Sequence, residues 1–187
     1  NDYYIGVFPV TMKQYKTFYG TKAPVMDLWY STYEFCDYLP AAHTSFELLR
    51  GQTASYDWPT NGHAVASNSV LGALRSVTGI AFDLPTDAQW EFACRAGTGT
   101  ALNTGLDLSN ATACDEMSAV GWYAGNSVTN GARHPRAVGL KAANAWGLYD
   151  MHGNVWEQCL DWAAAMSAAA VVEPVGPAAG TQKVFRG

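Results

Sequence analysis

No C-x-x-C pair occurs among the four cysteines, and its absence rules out the usual zinc-binding spacings. Cys36, Cys94, Cys114 and Cys159 stand far apart. A single bridge, with Cys94 to Cys114 closing the shortest loop, and a set of buried free thiols fit them equally well. No apolar run approaches the roughly 20 residues needed to span a bilayer, so no membrane insertion is expected from this chain. Charged side chains are scarce, at 14% against the ~25% common in globular domains. The net charge is -5, and no Lys/Arg stripe exists to displace counterions from a phosphate backbone, which argues against a nucleic-acid partner. Arg133 and Arg136 form the one tight basic pair and read as part of a solvated loop. The chain opens at Asn1 in an expected strand, so no signal peptide is expected.

Apolar and aromatic side chains, by contrast, are plentiful. Residues of apolar type make up 49% of the 187, with seven Trp, ten Tyr and eighteen Gly. That length suits one domain with a sizeable core, and many glycines beside many aromatics suit a loop-rich fold. Three helices announce themselves by capping boxes, in which a Ser or Thr is followed three residues later by Glu or Gln. Thr11 with Gln14 opens the first, which ends near Gly20. Ser31 with Glu34 opens the second, running to Leu39 and stopped by Pro40. The third starts at Thr86 with Gln89, runs to Arg95 and ends at Ala96 and Gly97. A fourth helix is expected over residues 69–77, with Gly79 beyond its end. Residues 3–10 read as a strand that Pro9 places at a sheet edge or a strand end. Residues 97–143 read as long ordered loop, punctuated by the core-type side chains Trp122, Tyr123 and Val138. The alanines at 163–165 and 168–170 have no physical account.

The most specific segment is Asn144-Ala-Trp-Gly-Leu-Tyr-Asp-Met-His-Gly-Asn-Val-Trp-Glu157. It is an aromatic-lined turn with a carboxylate at each end of an eight-residue window, Asp150 and Glu157. Gly153 permits a backbone dihedral that turns nearby carbonyls inward. Hard oxygen donors at short spacing suit calcium, which takes six to eight oxygens in flexible geometry. A d-block ion would want more His or Cys than His152 supplies. The alternative is a tight aromatic turn in which both carboxylates accept backbone N–H groups.

This segment resembles the signature of the formylglycine-generating enzyme, or sulfatase-modifying factor, family, close to N-x-x-G-L-x-D-M-x-G-N-V-W-E. Other segments agree in family order: Tyr4-Ile-Gly-Val-Phe-Pro-Val-Thr11, the Pro24-Val25 stretch, and Leu84-Pro-Thr-Asp-Ala-Gln-Trp-Glu-Phe-Ala-Cys-Arg-Ala-Gly97. The final Lys183-Val-Phe-Arg-Gly187 is similar to the start of the family's R-V-x-R-G-G-S-W segment. The resemblance implies a single domain over residues 1–187, lacking its C-terminal segment. The implied fold class is α+β: an irregular, loop-rich modified C-type lectin fold with short helices and small antiparallel sheets. It also implies a structural calcium ion held by the Asp150 side chain, the Gly153 and Val155 carbonyls and the Glu157 side chain, and a second calcium site near Asn126 and Ser127.

Active members of the family oxidise a sulfatase cysteine to formylglycine with oxygen and a copper ion held by two cysteines that lie after the R-G-G-S-W segment. None of the four cysteines here matches that place, so no catalytic residue is assigned. Copper is expected only if a further segment carries the cysteine pair. His43, His63, His134 and His152 are isolated, no Ser/His/Asp spacing is meaningful, and Gly97-Thr-Gly-Thr100 follows a helix and is no phosphate loop. The expected role is therefore a non-catalytic module binding a protein or another extracellular ligand, with the oxidase as the alternative and a structural role in an assembly as a third. The stretch from Phe46-Glu-Leu-Leu-Arg-Gly51 through Trp58-Pro-Thr-Asn61 resembles gut-bacterial relatives among the variable proteins of diversity-generating retroelements. The same resemblance favours a bacterial source and an extracytoplasmic or cell-surface location.

Overall fold

The computed structural model describes residues 3–20, 36–110, 114–129, 132–165 and 171–187. Four of the described helices begin where side-chain oxygens meet otherwise unpaired amides. Helix α1 spans Met12–Tyr19, and Thr11 and Gln14 complete the expected capping box at its start. Helices α2 (Phe46–Arg50) and α3 (Thr53–Tyr56) are short turns separated by Gly51 and Gln52, the first capped by Ser45. Ser69 caps α4 (Val70–Thr78), which Gly79 ends in left-handed conformation. Thr86 and Gln89 form the second capping box, opening α5 (Asp87–Arg95). A last short helix, α6, covers Asp115–Ser118.

Strands are few. β1 (Val128–Thr129) and β2 (Ala132–Arg133) make a minimal antiparallel pair, and β3 (Glu157–Trp162) pairs antiparallel with β4 (Lys183–Arg186). The register sets Glu157 opposite Arg186 and Gln158 opposite Phe185, with an irregularity before Trp162 meets Lys183. Small antiparallel sheets, short helices and long ordered connections are the α+β architecture expected of the sequence. Among the described residues of 97–143 the regular elements are α6 and the β1–β2 pair, yet Leu102, Cys114 and Val120 there are at most 2% exposed. Buried apolar anchors, not regular hydrogen bonding, order that stretch.

The strand expected over residues 3–10 does not form. Pro9 has no N–H to donate, and the stretch finds backbone partners only at isolated points. Tyr149 N donates to Val7 O at 3.0 Å, Tyr3 Oη donates to Gln89 O at 2.8 Å, and Thr11 makes a single antiparallel bridge with Pro40. The start of the second expected helix lies outside the described residues, as do Pro24, Val25 and the second alanine cluster. Its end is a 3₁₀ turn over Cys36–Tyr38.

One core cluster gathers Trp90, Ala93 and Cys94 of α5, Leu148 and Met151 of the connection, and Cys159 of β3, with Ile5 and Val184 against it. Helix α5 is fixed there at both ends. Asp87 N donates to Asp161 Oδ2 at 2.7 Å, Arg186 pairs with both Asp87 and Glu91, and the buried Asn144 Nδ2 donates to Ala93 O at 2.7 Å. A second tie comes from Arg50, fully buried, whose guanidinium pairs with Asp83 at 2.8 Å and donates to Tyr56 O at 2.7 Å and Gly62 O at 2.8 Å. Lys183 Nζ then donates to Asp57 Oδ1 at 2.7 Å and Leu160 O at 2.9 Å, joining the β3–β4 pair to the α2–α3 segment. A buried cation is tolerated when its donors are met in this way.

Candidate functional site

The turn between Asn144 and Glu157 begins with a closed hydrogen-bond ring. Asn144 Oδ1 accepts from Trp146 N at 3.0 Å and Leu148 N at 3.1 Å, while its Nδ2 holds the end of α5. The chain then passes through left-handed backbone at Asp150 (φ 59°) and reaches Asn154 at φ 132°. Both are residue types whose short polar side chains tolerate such angles by bonding locally. Asp150 Oδ2 accepts from Gly139 N at 2.7 Å, and the Asn154 side chain lies close enough to lower the carboxyl, against the effect of burial. Asn154 in turn accepts from Arg136 N at 2.8 Å and donates to Arg136 O at 2.9 Å. The 136–139 loop is thereby clamped onto the turn. At Gly153 (φ 124°) a Cβ would stand 2.4 Å from Trp122 O, so the close approach of the two backbones requires glycine.

Asp150 is 1% exposed, and its Oδ1 is buried with no hydrogen-bond partner. Burial raises the Asp150 carboxyl above its ordinary value. Glu157, partly buried at the start of β3, is pushed up to about 7 by burial, with the nearby Asp150 charge adding to the effect. Trp90 Nε1 donates to Glu157 Oε2 at 3.2 Å and works in the opposite direction. No basic side chain among the described residues pairs with either carboxylate. Of the four residues expected to hold an ion, the turn therefore brings the two carboxylates within electrostatic reach. Gly153 and Val155 lie between them, partly buried. A Cβ on Gly187, just past β4, would come within 2.4 Å of the Val155 carbonyl oxygen.

The donor set tolerates a hard cation: an orphaned buried carboxylate oxygen, a second carboxylate raised by desolvation, and carbonyl-bearing backbone on the same turn. Among the described residues no group of three or more His, Cys, Asp or Glu is placed to hold a metal, so such an ion would draw on carbonyl oxygens as well. His152 Nε2 is already occupied, accepting from Asn103 N at 3.0 Å, and burial lowers the imidazole below its ordinary value. Asn126 Oδ1 accepts from Tyr123 N at 2.8 Å and its Nδ2 donates to Gly121 O at 3.0 Å, which holds that side chain in its own turn.

Cys94, Cys114 and Cys159 are free and buried, so the Cys94–Cys114 bridge entertained from the loop length is not made. Burial raises the Cys94 thiol to about 11 and pushes Cys159 up as well. Reactive and soft-metal-binding cysteines need the reverse, a stabilised thiolate. Arg133 is exposed as expected of a solvated loop, but Arg136 lies over the Trp122 ring at 5.3 Å, with Lys141 at 4.0 Å. The supporting parts played by Trp90, Gly139 and Asn154 escape sequence reasoning, since each acts through a contact distant in the chain. The Gly153-Asn154 dipeptide was the one available signal.

Fold and site together define an irregular α+β domain organised around an acidic, glycine-bearing turn. The chain belongs to the sulfatase-modifying factor enzyme 1-like domain family, whose model matches residues 1–187. It is 28% identical over 185 residues to the chaperone protein LppX of Paenibacillus barcinonensis, covering 87% of this chain and 63% of that protein. It is 31% identical over 140 residues to the formylglycine-generating enzyme of Thermomonospora curvata, covering 67% of this chain and 44% of that enzyme. The chain thus spans less than two thirds of the length of either relative. Among solved structures, Treponema denticola variable protein 1 superposes with a TM-score of 0.61 at 21% identity, over 96% of this chain and 70% of that one. That likeness is one of fold.

Proposed function

We propose that this chain is a non-catalytic binding module built on a calcium-stabilised scaffold of the formylglycine-generating-enzyme type. The observation that carries the calcium half is the buried, unpartnered Asp150 Oδ1 beside a Glu157 that burial has pushed up to about 7. An unpaired buried carboxylate oxygen is costly, and a divalent cation held by Asp150, Glu157 and the Gly153 and Val155 carbonyls would offset that cost. Its part would be to neutralise the two carboxylates and fix the turn. The binding half is supported by the fold shared with a variable protein and by the state of the described thiols, each buried and each Cys94- or Cys159-type shift running against thiolate formation. A protein or another extracellular molecule would be the partner.

The second reading is the formylglycine-generating oxidase, favoured by the 31% identity to the Thermomonospora curvata enzyme. Copper chemistry would need a stabilised thiolate pair, and burial raises Cys94 and Cys159 instead. Two assays separate the readings. Thermal melting in calcium and in EDTA should show a clear loss of stability on chelation, scaling with affinity, and Glu157→Ala should abolish the calcium dependence. Identical melting curves in both buffers would remove calcium from the proposal. Incubation with a cysteine-containing sulfatase peptide, Cu(I) and oxygen, with hydrazide trapping of the aldehyde, should give no product above the enzyme-free control. Trapped aldehyde would establish the oxidase instead.

A further inference from the structure

Away from the acidic turn, a cavity of about 290 Å³ opens between the end of α1, the α2–α3 segment and the loop leading into α4. Its size is just below the roughly 300–1,000 Å³ typical of small-molecule sites, enough for one ring-sized ligand. Tyr19 and Tyr56 line it, with Glu47, Gln52 and Asn68. The wall is built, not incidental. Gly51 adopts φ 111°, and a Cβ there would stand 2.6 Å from both the Tyr56 ring and Ala66, so the Tyr56 ring lies directly on backbone that only glycine allows.

Most polar side chains of this cavity are uncommitted; the exception is Ser69, whose hydroxyl donates to Ala66 O at 2.7 Å and accepts from Gly72 N at 3.1 Å. Among the described residues the side chains of Glu47, Gln52 and Asn68 and the Tyr56 hydroxyl make no hydrogen bond or ion pair, while Tyr19 Oη makes a long contact of 3.4 Å to Asn68 O. Two carboxamides, two phenols and one carboxylate therefore offer donors and acceptors in mixture. No Lys, Arg or His lines the cavity among the described residues, so nothing there would neutralise a phosphate or a carboxylate ligand. The single carboxylate, Glu47, is exposed and therefore well solvated, a poor anchor for a cation.

We propose that this cavity binds a neutral saccharide, with hydroxyl groups held by Gln52, Asn68 and Glu47 and the apolar C–H surface of one ring packed against Tyr19 and Tyr56. Sugar hydroxyls donate and accept at once, which matches planar amide and carboxylate side chains, and aromatic rings supply apolar area at low entropic cost. The inference supplies a ligand class for the binding module proposed above.

The test is a titration of ¹⁵N-labelled protein in calcium buffer with free glucose, galactose, mannose, N-acetylglucosamine and lactose. Ethylammonium and inorganic phosphate serve as charged probes. At least one saccharide should shift the amides of Leu48, Gly51, Gln52 and residues 66–69 with saturation. Gln52→Ala and Asn68→Ala, both at exposed positions, should each weaken that binding about 3- to 10-fold, the loss of one hydrogen bond. Glu47→Gln, which keeps hydrogen-bonding capacity, should change it by less. The inference is overturned if no saccharide moves these amides at roughly 50 mM, well above a weak millimolar Kd. It is equally overturned if ethylammonium binds there and Glu47→Gln removes it, or if phosphate binds. Melting of the same samples with and without EDTA keeps the outcomes apart: a calcium-dependent melt without saccharide shifts defeats the ligand class and leaves the scaffold proposal standing.

Discussion

Glu157 carries the sharpest electrostatic consequence at the scale of single residues. Its carboxyl is raised from 4.5 to about 7 in the folded chain, mainly by burial, so the folded state holds the proton more tightly than the unfolded one. Stability from this group is fully present below pH 4.5 and is lost as pH rises through about 7. Asp150, raised for the same reason, acts in the same direction. Glu91 and Glu116 are lowered by their hydrogen bonds and charges and act in the opposite direction, so a difference measurement is needed. In EDTA, wild type should lose on the order of 3 kcal/mol relative to Glu157→Gln between pH 5 and pH 8. Urea midpoints of the two proteins at each pH check this, and parallel pH profiles would mean that Glu157 is solvated in the folded state. Added calcium should flatten the wild-type profile, because an ion takes the place of the proton.

Helix α4 makes the most direct prediction at the scale of elements. A glycine inside a helix ordinarily costs about 0.5–1 kcal/mol against alanine, so replacing it should stabilise. Gly72 of α4 is buried, however, and a Cβ there would stand 2.1 Å from Ala66 O and 2.9 Å from the Ser67 backbone. The sign should therefore reverse, with Gly72→Ala lowering stability by about 1–3 kcal/mol in denaturant unfolding. A gain instead would show that the 66–69 loop does not pack on the helix. The capping boxes at Thr11 and Thr86 and the stop at Gly79 were legible in the sequence because they are local, resting on residues three or four apart. The strand expected over residues 3–10 failed because alternating side chains state only that a segment can be extended. Whether a neighbouring backbone offers a ladder is a tertiary matter, and here Tyr149 and Pro40 offer isolated contacts.

At the scale of the whole molecule, the thiols report on the packing. Cys94 and Cys159 belong to the same buried cluster as Trp90 and Met151, and Cys114 is 2% exposed. Iodoacetamide applied to the native protein should leave all three unmodified, and the same reagent in denaturant should label each of them, as peptide mapping would read. Native labelling would mean that the core opens readily; a cross-linked pair of peptides containing Cys94 and Cys114 would contradict the free thiols outright. Arg50 and Lys183 work on the same scale, each meeting its donors with groups 6 to 126 residues away in the chain.

The sequence by itself determined the family, the starts of α1, α4 and α5 and the acidic turn, because these are written in contiguous motifs whose chemistry is local; α2, α3 and α6 were not legible in it. It also placed Asp150 and Glu157 at the ends of one window, since seven residues of separation are a property of the chain. Tertiary structure alone decided that Asp150 Oδ1 is left without a partner, that Cys94 and Cys114 stay apart, and that Tyr19, Glu47, Gln52, Tyr56 and Asn68 surround one cavity. Burial and pairing depend on which distant segments come to rest against one another. In a fold with so little regular hydrogen bonding, that choice is made by packed aromatics and buried ion pairs rather than by any repeating local pattern.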